Sequence, residues 1–414
     1  MMENEYTKRR VAIIGGGPAG MMAAGTAILY GAEATIFEHM NYLGKKLGIT
    51  GKGRCNVTNN CSVNDFLENV PRNPRFLYSA LGAFPPERTI EFFEELGVSL
   101  KTERGNRVFP TDDKAKTIVD AMRKYCKGAE VIYEKVKAVV PNDDGTFTVT
   151  ADTPRDFDAV IIATGGRSYP LTGSDGSGYR LAAALGHSVT ELRPSLIPIE
   201  SKSKLCAEMM GLSLKNVAIK ILDGSDKTLY TDFGEMMFTH FGVTGPMILS
   251  ASAHVRDTDI SSLTLSIDLK PALDEQTLDA RLLSDFKKNA NRDFRNSLGG
   301  LLPAKMIDPF VKLSGISPYK KINLITKEER HAVLTLLKDF RIPLSRLRPI
   351  EEAIITSGGI EVKEIKPKTM ESKLVPGIFF AGEVIDVDAY TGGFNLQIAY
   401  ATGYIAGKSA AETY

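Results

Sequence analysis

The feature that most constrains the fold is a glycine-rich turn near the N-terminus, in which Gly15, Gly17 and Gly20 directly follow an apolar strand pattern. The first glycine permits a tight turn, the second leaves room for a pyrophosphate beside the backbone, and the third lets helix and strand pack closely. A helix that begins with Pro18 and Ala19 would aim its unpaired N–H groups at that phosphate. The turn therefore predicts a dinucleotide site in a β-α-β unit.

An acidic residue supports this prediction. Glu38 ends the second predicted strand, residues 34–38, and lies 18 positions after Gly20. In dinucleotide-binding folds an acid about 20 residues beyond the last glycine accepts hydrogen bonds from the ribose hydroxyls and disfavours a 2′-phosphate. We place Glu38 and the adjacent His39 beside the adenosine, although this unit alone suits NAD as readily as FAD.

A short apolar strand near the C-terminus favours FAD. It brings Gly382 and Glu383 to the carboxyl edge of the sheet, where ligands of doubly wound folds bind. Glu383 is then placed to bind a ribityl hydroxyl, a group that FAD has and NAD lacks. Gly392 and Gly393 open a predicted helix, residues 398–408, whose first N–H groups would face the pyrophosphate and the O2 edge of the flavin. Anionic reduced flavin would be stabilised there.

Two further segments are candidates for cofactor contact. Ala163, Thr164 and Gly165 end an apolar strand in glycine, which lets a backbone pass closely beneath a cofactor. Val136, which we expect at the end of a strand after Lys135, is a candidate backbone partner for the adenine edge. A plain core valine is the alternative reading.

Composition restricts the class of protein. The 414 residues are 43% hydrophobic and carry 51 Lys and Arg against 50 Asp and Glu, without a dense basic block. We therefore expect two or three domains, a small-molecule substrate and no nucleic acid partner. Four cysteines without a Cys-x-x-Cys pair indicate a reduced, cytoplasmic protein. We predict no membrane span, no export signal and no metal site, and leave the oligomeric state open.

The sequence pattern of the predicted strands changes twice along the chain. From about residue 193 the patterns are those of antiparallel strands, and residues 278–340 are mostly amphipathic helix. The glycine-rich, apolar-strand style returns after about residue 350. The cofactor domain is therefore predicted to be discontinuous, with an insert between its two parts.

Several long tracts resemble the bacterial FAD flavoproteins of the aminoacetone-oxidase and bile-acid-reductase family, within the larger group of two-dinucleotide-binding-domain flavoproteins. The resemblance covers almost the whole chain, and the tracts that carry it are residues 51–59, 165–173, 238–246, 356–360 and 382–397. It implies an α/β fold in which residues 1–192 and 350–414 form a Rossmann-type FAD-binding domain. The insert would comprise a β-barrel-like subdomain, residues 193–270, and a helical subdomain, residues 271–349.

The resemblance also implies further contacts to FAD. The residues implied to wrap the flavin or lie near the phosphates share the glycine-rich tracts and are Lys45, Lys46, Gly51, Gly53, Arg54, Cys55, Asn56, Asn395 and Leu396. The chain departs from many relatives at Lys52, Ala389 and Phe394. These departures concern substrate preference more than FAD binding.

The chemistry is less constrained than the cofactor. Without a thiol pair or a second strand-glycine-helix unit, we expect NAD(P)H to visit the flavin transiently and reduce it. Our first hypothesis is reduction of a conjugated C=C bond of a steroid, bile acid or small enone. The alternatives are an amine oxidase of the aminoacetone type that forms hydrogen peroxide, and a flavoprotein with structural FAD whose insert binds a partner such as RNA, against which the balanced charge counts. His240 and Tyr169 are the candidate acid-base residues, against structural roles for both.

Overall fold

The computed structural model describes residues 8–412 and divides into two compact units. Unit 2 is Leu196–Pro349, and unit 1 comprises the described residues on either side of it. Residues 1–7, which entered the prediction that no export signal is present, lie outside the described residues. No helix among residues 8–412 has the length and apolar character that a membrane crossing requires.

Unit 1 is built on a parallel sheet. Its five strands lie in the order Ile378–Phe380, Ala159–Ile162, Arg10–Ile14, Glu33–Phe37 and Glu130–Ile132. In this register Ile14 lies beside Ile162 on one side and Phe37 on the other, so the carboxyl ends of the strands meet at one edge. Buried, apolar strands of this kind need helices on both faces. The predicted Rossmann-type fold is confirmed.

Helices cover the sheet of unit 1. They are Pro18–Leu29, Val63–Glu68, Tyr78–Ala83, Pro86–Glu95, Ala115–Tyr125, Ser177–Ala184 and Phe394–Glu412. The first and last of these approach each other unusually closely. A Cβ on Gly403 would lie 2.5 Å from the Ala19 carbonyl oxygen, and a Cβ on Gly407 would lie 2.3 Å from that of Ala23. The two glycines therefore permit the contact that sets the last helix against the first.

Three small antiparallel sheets complete unit 1. They are Thr58–Asn59 with Leu100–Glu103 and Arg107–Pro110, Ala138–Pro141 with Phe147–Thr150 and Pro154–Phe157, and Arg193–Ser195 with Ile355–Ser357. A 3-10 segment, Leu47–Gly53, lies in the tract that follows the second parallel strand. Val139 pairs with Val149 on either side of a turn that contains Gly145, which forms a β-hairpin.

Unit 2 contains a closed antiparallel barrel. Its strands, in order around the barrel, are Ile199–Ser201, Gly242–Thr244, Thr228–Phe238, Ser213–Leu222, Thr264–Asp268 and Phe340–Leu347. The helices are Lys204–Glu208, Pro246–Val255, Glu275–Lys288, Phe294–Ser297, Ala304–Ser314 and Lys327–Lys338.

The last barrel strand differs from the sequence analysis, which assigned residues 271–349 to a helical subdomain. Phe340, Ile342 and Leu344 are buried while the residues between them are exposed. This two-residue alternation is that of a half-buried strand, and the strand pairs with both Ile199–Ser201 and Thr264–Asp268. The barrel is therefore closed by chain that returns after the helices.

Candidate active site

The glycine turn has the geometry that its sequence predicts. Gly15 has φ +108°, and a Cβ there would lie 2.5 Å from the Ala163 carbonyl oxygen. A Cβ on Gly20 would lie 1.8 Å from the Gly15 carbonyl oxygen. A Cβ on Gly17, by contrast, would meet no atom within 4 Å. Two glycines thus permit close packing, while the third borders open space at the start of the Pro18–Leu29 helix, which has no side-chain cap. A pyrophosphate fits this cradle.

Glu38 is an acceptor beside that cradle. Its side chain is largely buried, and its two carboxylate oxygens each accept a hydrogen bond of 2.8 Å, from the N–H of Gly16 and the N–H of Met40. The His39 imidazole nitrogen Nδ1 lies 3.6 Å from the same carboxylate. A carboxylate offers about four acceptor positions, so Glu38 can also receive ribose hydroxyls.

Glu383 is part of a charged cluster that the sequence analysis did not identify. Its Oε2 atom lies 2.9 Å from Lys46 Nζ, and its Oε1 atom accepts from Ser168 Oγ at 3.0 Å and the Thr356 N–H at 2.8 Å. Lys46 also donates to Ser168 at 2.8 Å. Gly382 brings the cluster next to the first helix, because a Cβ on it would lie 2.8 Å from that of Ala19.

This cluster changes the assignment of the two lysines. Lys46 neutralises Glu383 and is not free to bind a phosphate. Lys45 is half-buried and forms no ion pair within residues 8–412. Of the two, Lys45 is therefore the candidate for the phosphates. Ser168 and Thr356 both lie in tracts that resemble the family. This resemblance was the sequence signal that could have identified them as site residues.

The loop at residues 51–56 adopts an unusual backbone conformation. Gly51, Gly53 and the non-glycine residues Lys52 and Cys55 all have positive φ, with +59° for Lys52 and +58° for Cys55. Positive φ at a non-glycine residue costs about 1–3 kcal/mol and is concentrated at functional sites. The Asn56 Oδ1 atom is buried and has no hydrogen-bond partner among the described residues. A ligand N–H, such as N3–H of a flavin, would satisfy it.

The side chain of Arg54 in this loop is bound by two carboxylates. Its guanidinium donates to Glu103 and Asp113 and lies 4.2 Å from the centre of the Phe109 ring. These two carboxylates raise the pKa of Arg54 above its ordinary value. The contact of Arg54 with the flavin, implied by the resemblance, stays a prediction.

The start of the last helix is held by glycines and by an asparagine. Gly392 and Gly393 have φ +136° and +98°, and a Cβ on Gly393 would lie 2.5 Å from the Thr58 carbonyl group. Asn395 accepts from the Ala389 N–H at 2.9 Å and donates to the Ala389 carbonyl at 2.7 Å. Its amide thus shapes the preceding loop. The side chain of Leu396 is half-buried.

The remaining predicted cofactor residues occupy two loops. Ala163 abuts Gly15 as described, and Thr164 and Gly165 follow it at the sheet edge, with a Cβ on Gly165 meeting Ser174 Oγ at 2.8 Å. Val136 is buried, but it lies in the connection between Glu130–Ile132 and the next strand and not at a strand end. The expected position was wrong because the strand that follows Lys135 begins only at Ala138.

The two candidate acid-base residues lie in different units. Tyr169, in unit 1, has a left-handed backbone with φ +53°, and its side chain is 37% exposed. His240, in unit 2, is exposed between two barrel strands and packs edge-on against Phe241 with ring centres 5.0 Å apart. Their catalytic roles stay predictions.

Tyr179 is a further polar group that the sequence analysis missed. Its hydroxyl is buried and has no hydrogen-bond partner among residues 8–412. Burial raises its pKa, and the nearby carboxylates of Glu383 and Asp386 raise it further. Tyr179 is therefore a neutral hydroxyl beside the Glu383 cluster. A single tyrosine in a helix carries no sequence signal for such a position.

The fold and the site define a class of protein: an FAD-dependent oxidoreductase with a Rossmann-type nucleotide-binding domain. The chain belongs to the family described as HI0933-like protein Rossmann domain, whose model matches residues 9–409. The resemblance noted from the sequence is confirmed.

Curated relatives match over nearly their full lengths. A 3-dehydro-bile acid delta(4,6)-reductase of Clostridium scindens is 30% identical over 411 residues, which are 97% of this chain and 99% of the relative. A ribosomal RNA dihydrouridine synthase of Escherichia coli is 28% identical over 413 residues, 96% of this chain and 98% of the relative. Among solved structures, a 3-ketosteroid-delta4-(5alpha)-dehydrogenase of Rhodococcus jostii has a similar fold, with a TM-score of 0.54 at 14% identity, covering 100% of this chain and 99% of that chain.

One prediction is overturned by these relatives. The expectation that nucleic acid is not a partner is wrong, because two relatives with almost complete coverage carry the name ribosomal RNA dihydrouridine synthase. The expectation rested on the balanced total charge. A total does not report how the charge is distributed over the surface.

Proposed function

We propose that the protein reduces a C=C bond conjugated with a carbonyl group. The observation that carries this proposal is the chemistry shared by the names of its relatives, a bile acid delta(4,6)-reductase and a dihydrouridine synthase. Dihydrouridine is uridine whose C5=C6 bond, conjugated with the C4 carbonyl, has been saturated. In both cases a polarised alkene gains two hydrogens, one as hydride and one as a proton.

FAD, once bound and reduced, would supply the hydride to the alkene carbon remote from the carbonyl. The residues of unit 1 would hold it. We assign the pyrophosphate to the cradle at Gly17, the ribose hydroxyls to Glu38 and a ribityl hydroxyl to Glu383. Asn56 would accept a flavin N–H, and the helix N-terminus after Gly393 would stabilise negative charge on the O2 edge.

The properties of the thiols favour direct electron transfer from flavin to substrate and argue against a dithiol relay between them. Burial raises the pKa of Cys55 to about 12 and that of Cys61, Cys126 and Cys206 to about 11. Since the thiolate is the reactive form, these cysteines are inert near neutral pH. We infer that no cysteine carries electrons between flavin and substrate.

NAD(P)H is the proposed electron donor. Unit 1 supplies one doubly wound sheet, and the sheet of unit 2 that the structure describes is an antiparallel barrel without a dinucleotide fingerprint. We therefore propose that the nicotinamide binds transiently at the exposed flavin face. Overall, NAD(P)H and one proton are consumed for each C=C bond that is saturated.

The proton donor is assigned to Tyr169 or His240. A donor has to reach the carbon next to the carbonyl while the hydride arrives at the other alkene carbon. Tyr169→Phe and His240→Gln remove the proton and preserve shape. The variant of the true donor should lose about 10²–10⁴-fold in alkene reduction while flavin reduction by NAD(P)H is retained. Equal, wild-type rates in both variants would transfer the role to water or another residue.

Two substrate classes fit the reaction. A steroid-like enone is the first, following the bile acid reductase. The second is a uracil base in RNA, favoured by two dihydrouridine synthase relatives and by the basic character of residues 271–349 described below.

The test is anaerobic stopped-flow reduction of the purified holoprotein by NADH and by NADPH. Rapid bleaching of the flavin by one of them, followed by reoxidation by an enone or by a uridine-containing RNA, is expected. Failure of both nicotinamides to reduce the flavin would refute the proposed donor. Peroxide formation with small amines in air, without any alkene reduction, would refute the reaction class.

A further inference from the structure

Positive charge is concentrated in the helical part of unit 2. Residues 271–349 contain fifteen Lys or Arg and nine Asp or Glu, whereas the whole chain contains 51 and 50. The rest of the chain therefore has a net negative charge. Such segregation creates a local positive potential although the total is close to zero.

Part of this charge is not neutralised by the protein. Lys287, Lys288 and Arg292 are exposed, and within residues 8–412 they form no ion pair. Two neighbouring cations are paired: Lys320 Nζ lies 2.6 Å from Glu329 Oε1 in a partly buried pair. Lys321 Nζ lies 2.8 Å from Asp293 Oδ1 nearer the surface. Exposed pairs of this kind exchange partners at little cost.

These cations lie close together because two chain segments are hydrogen bonded to each other. The Phe294 N–H donates to the Lys320 carbonyl at 2.9 Å, and the Ile322 N–H donates to the Arg292 carbonyl at 3.0 Å. Lys320 and Lys321 therefore run opposite Arg292. Lys287 and Lys288 end the helix that immediately precedes this pairing.

An exposed aromatic ring stands among them. Tyr319 is 76% exposed and borders a groove of about 690 Å³ that is also lined by Arg295, Asp308, Lys312 and Pro318. Asp308 pairs with Arg295, so the cations beside the ring that lie outside this pair are Lys312 and the adjacent Lys320. An exposed ring bordered by cations is the arrangement that proteins use to stack a base and hold its phosphates.

We propose that this basic surface, formed by Lys287, Lys288, Arg292, Lys320 and Lys321 with Tyr319, binds single-stranded segments of RNA. Tyr319 stacks on a base, and the cations contact the flanking phosphates. The inference rests on the proposed function with the second substrate class, a uracil base in RNA. It places the nucleotides that flank this uracil on the basic surface. Binding itself needs neither reductant nor turnover.

The test uses the full-length holoprotein and a short fluorescein-labelled oligouridine, with Kd measured by anisotropy from about 50 to about 200 mM KCl. The triple variant K287Q/K288Q/R292Q removes three unpaired cations. K215Q/K220Q/K227Q is its control, because it removes three exposed lysines of the barrel strands and their turn in the same unit. Y319A and Y319F separate stacking from charge.

The expected result is salt-dependent binding that the triple variant weakens by at least about tenfold, with the slope of log K against log salt reduced by about 2. The control should bind like wild type. Y319A should bind about tenfold more weakly with an unchanged slope, and Y319F should retain binding.

Three results would overturn the proposal: no salt-dependent binding of oligouridine by the wild type, equal losses in the triple variant and its control, or no effect of Y319A. If Y319A has no effect and heparin binds as tightly as oligouridine, the surface binds polyanions in general. RNA binding that is confirmed while no uridine is reduced would refute the RNA substrate and leave the surface standing.

Discussion

Gly17 offers the sharpest test of the cofactor site, because the structure predicts opposite effects for neighbouring glycines. The Cβ of Gly17→Ala would meet no protein atom, and the backbone there, with φ −77°, suits alanine. The apoprotein should therefore keep its stability to within about 1 kcal/mol. The new methyl group would instead occupy the space assigned to the pyrophosphate.

The magnitude follows from overpacking. Inserting a methyl group into a close contact costs about 1–3 kcal/mol, so FAD should bind roughly 5- to 150-fold more weakly to Gly17→Ala. Gly20→Ala brings its Cβ to 1.8 Å from a backbone oxygen, so it should destabilise the apoprotein itself by about 1–3 kcal/mol or more. Gly82→Ala is the control, since its Cβ also meets no atom within 4 Å and it lies in a helix of the same unit.

The assay has two parts. Thermal unfolding of the apoproteins measures stability, and titration of FAD by quenching of its fluorescence measures Kd. A Gly17→Ala variant with wild-type affinity for FAD would refute the placement of the pyrophosphate. A variant that unfolds like Gly20→Ala would show that the space beside Gly17 is not open.

Three further predictions concern buried groups. Because burial raises the pKa of Cys55 to about 12, iodoacetamide near pH 8 should leave this thiol unmodified in the native protein and alkylate it after unfolding, as peptide mass spectrometry would show. Burial also lowers the pKa of His187 below that of an unfolded histidine, about 6.5. As the pH falls below this value, the unfolded chain takes up a proton more readily than the folded protein, so the free energy of unfolding decreases. In His187→Gln the free energy of unfolding, measured in urea, should therefore change less between about pH 7 and about pH 5. Gln397 accepts from Thr58 and Thr89, and Gln397→Leu should cost about 1–3 kcal/mol in the same assay, whereas a neutral effect would show that the hydroxyls find other partners.

Local patterns predicted the elements whose role is set by local physics. The Gly15 turn, the parallel strands and the last helix follow from backbone freedom and apolar periodicity within short windows. Phe340–Leu347 was missed because its alternation spans one short strand directly after a helix, and its barrel partners are distant in sequence. Such closure depends on long-range pairing, which a local window does not contain.

The sequence indicated which residues to select for the candidate site, but it did not indicate which of them contact one another. Glu383 and Lys46 were both selected, but their direct ion pair, and the hydrogen bonds of both with Ser168, depend on three segments that meet only after folding. Arg54 likewise binds Glu103 and Asp113, residues about 50 and 60 positions away. Charge partners of this kind follow from tertiary structure, whereas glycine turns and strand ends follow from sequence.

The central claim is that electrons pass from NAD(P)H through FAD to a conjugated alkene. The most direct measurement is anaerobic turnover with an enone steroid and with uridine-containing RNA, in which nicotinamide oxidation is followed optically and the product by mass spectrometry. The account predicts that one acceptor gains the mass of two hydrogens, with one NAD(P)H consumed per molecule of product. Nicotinamide oxidation without a saturated product, or a flavin that neither NADH nor NADPH reduces, would contradict it.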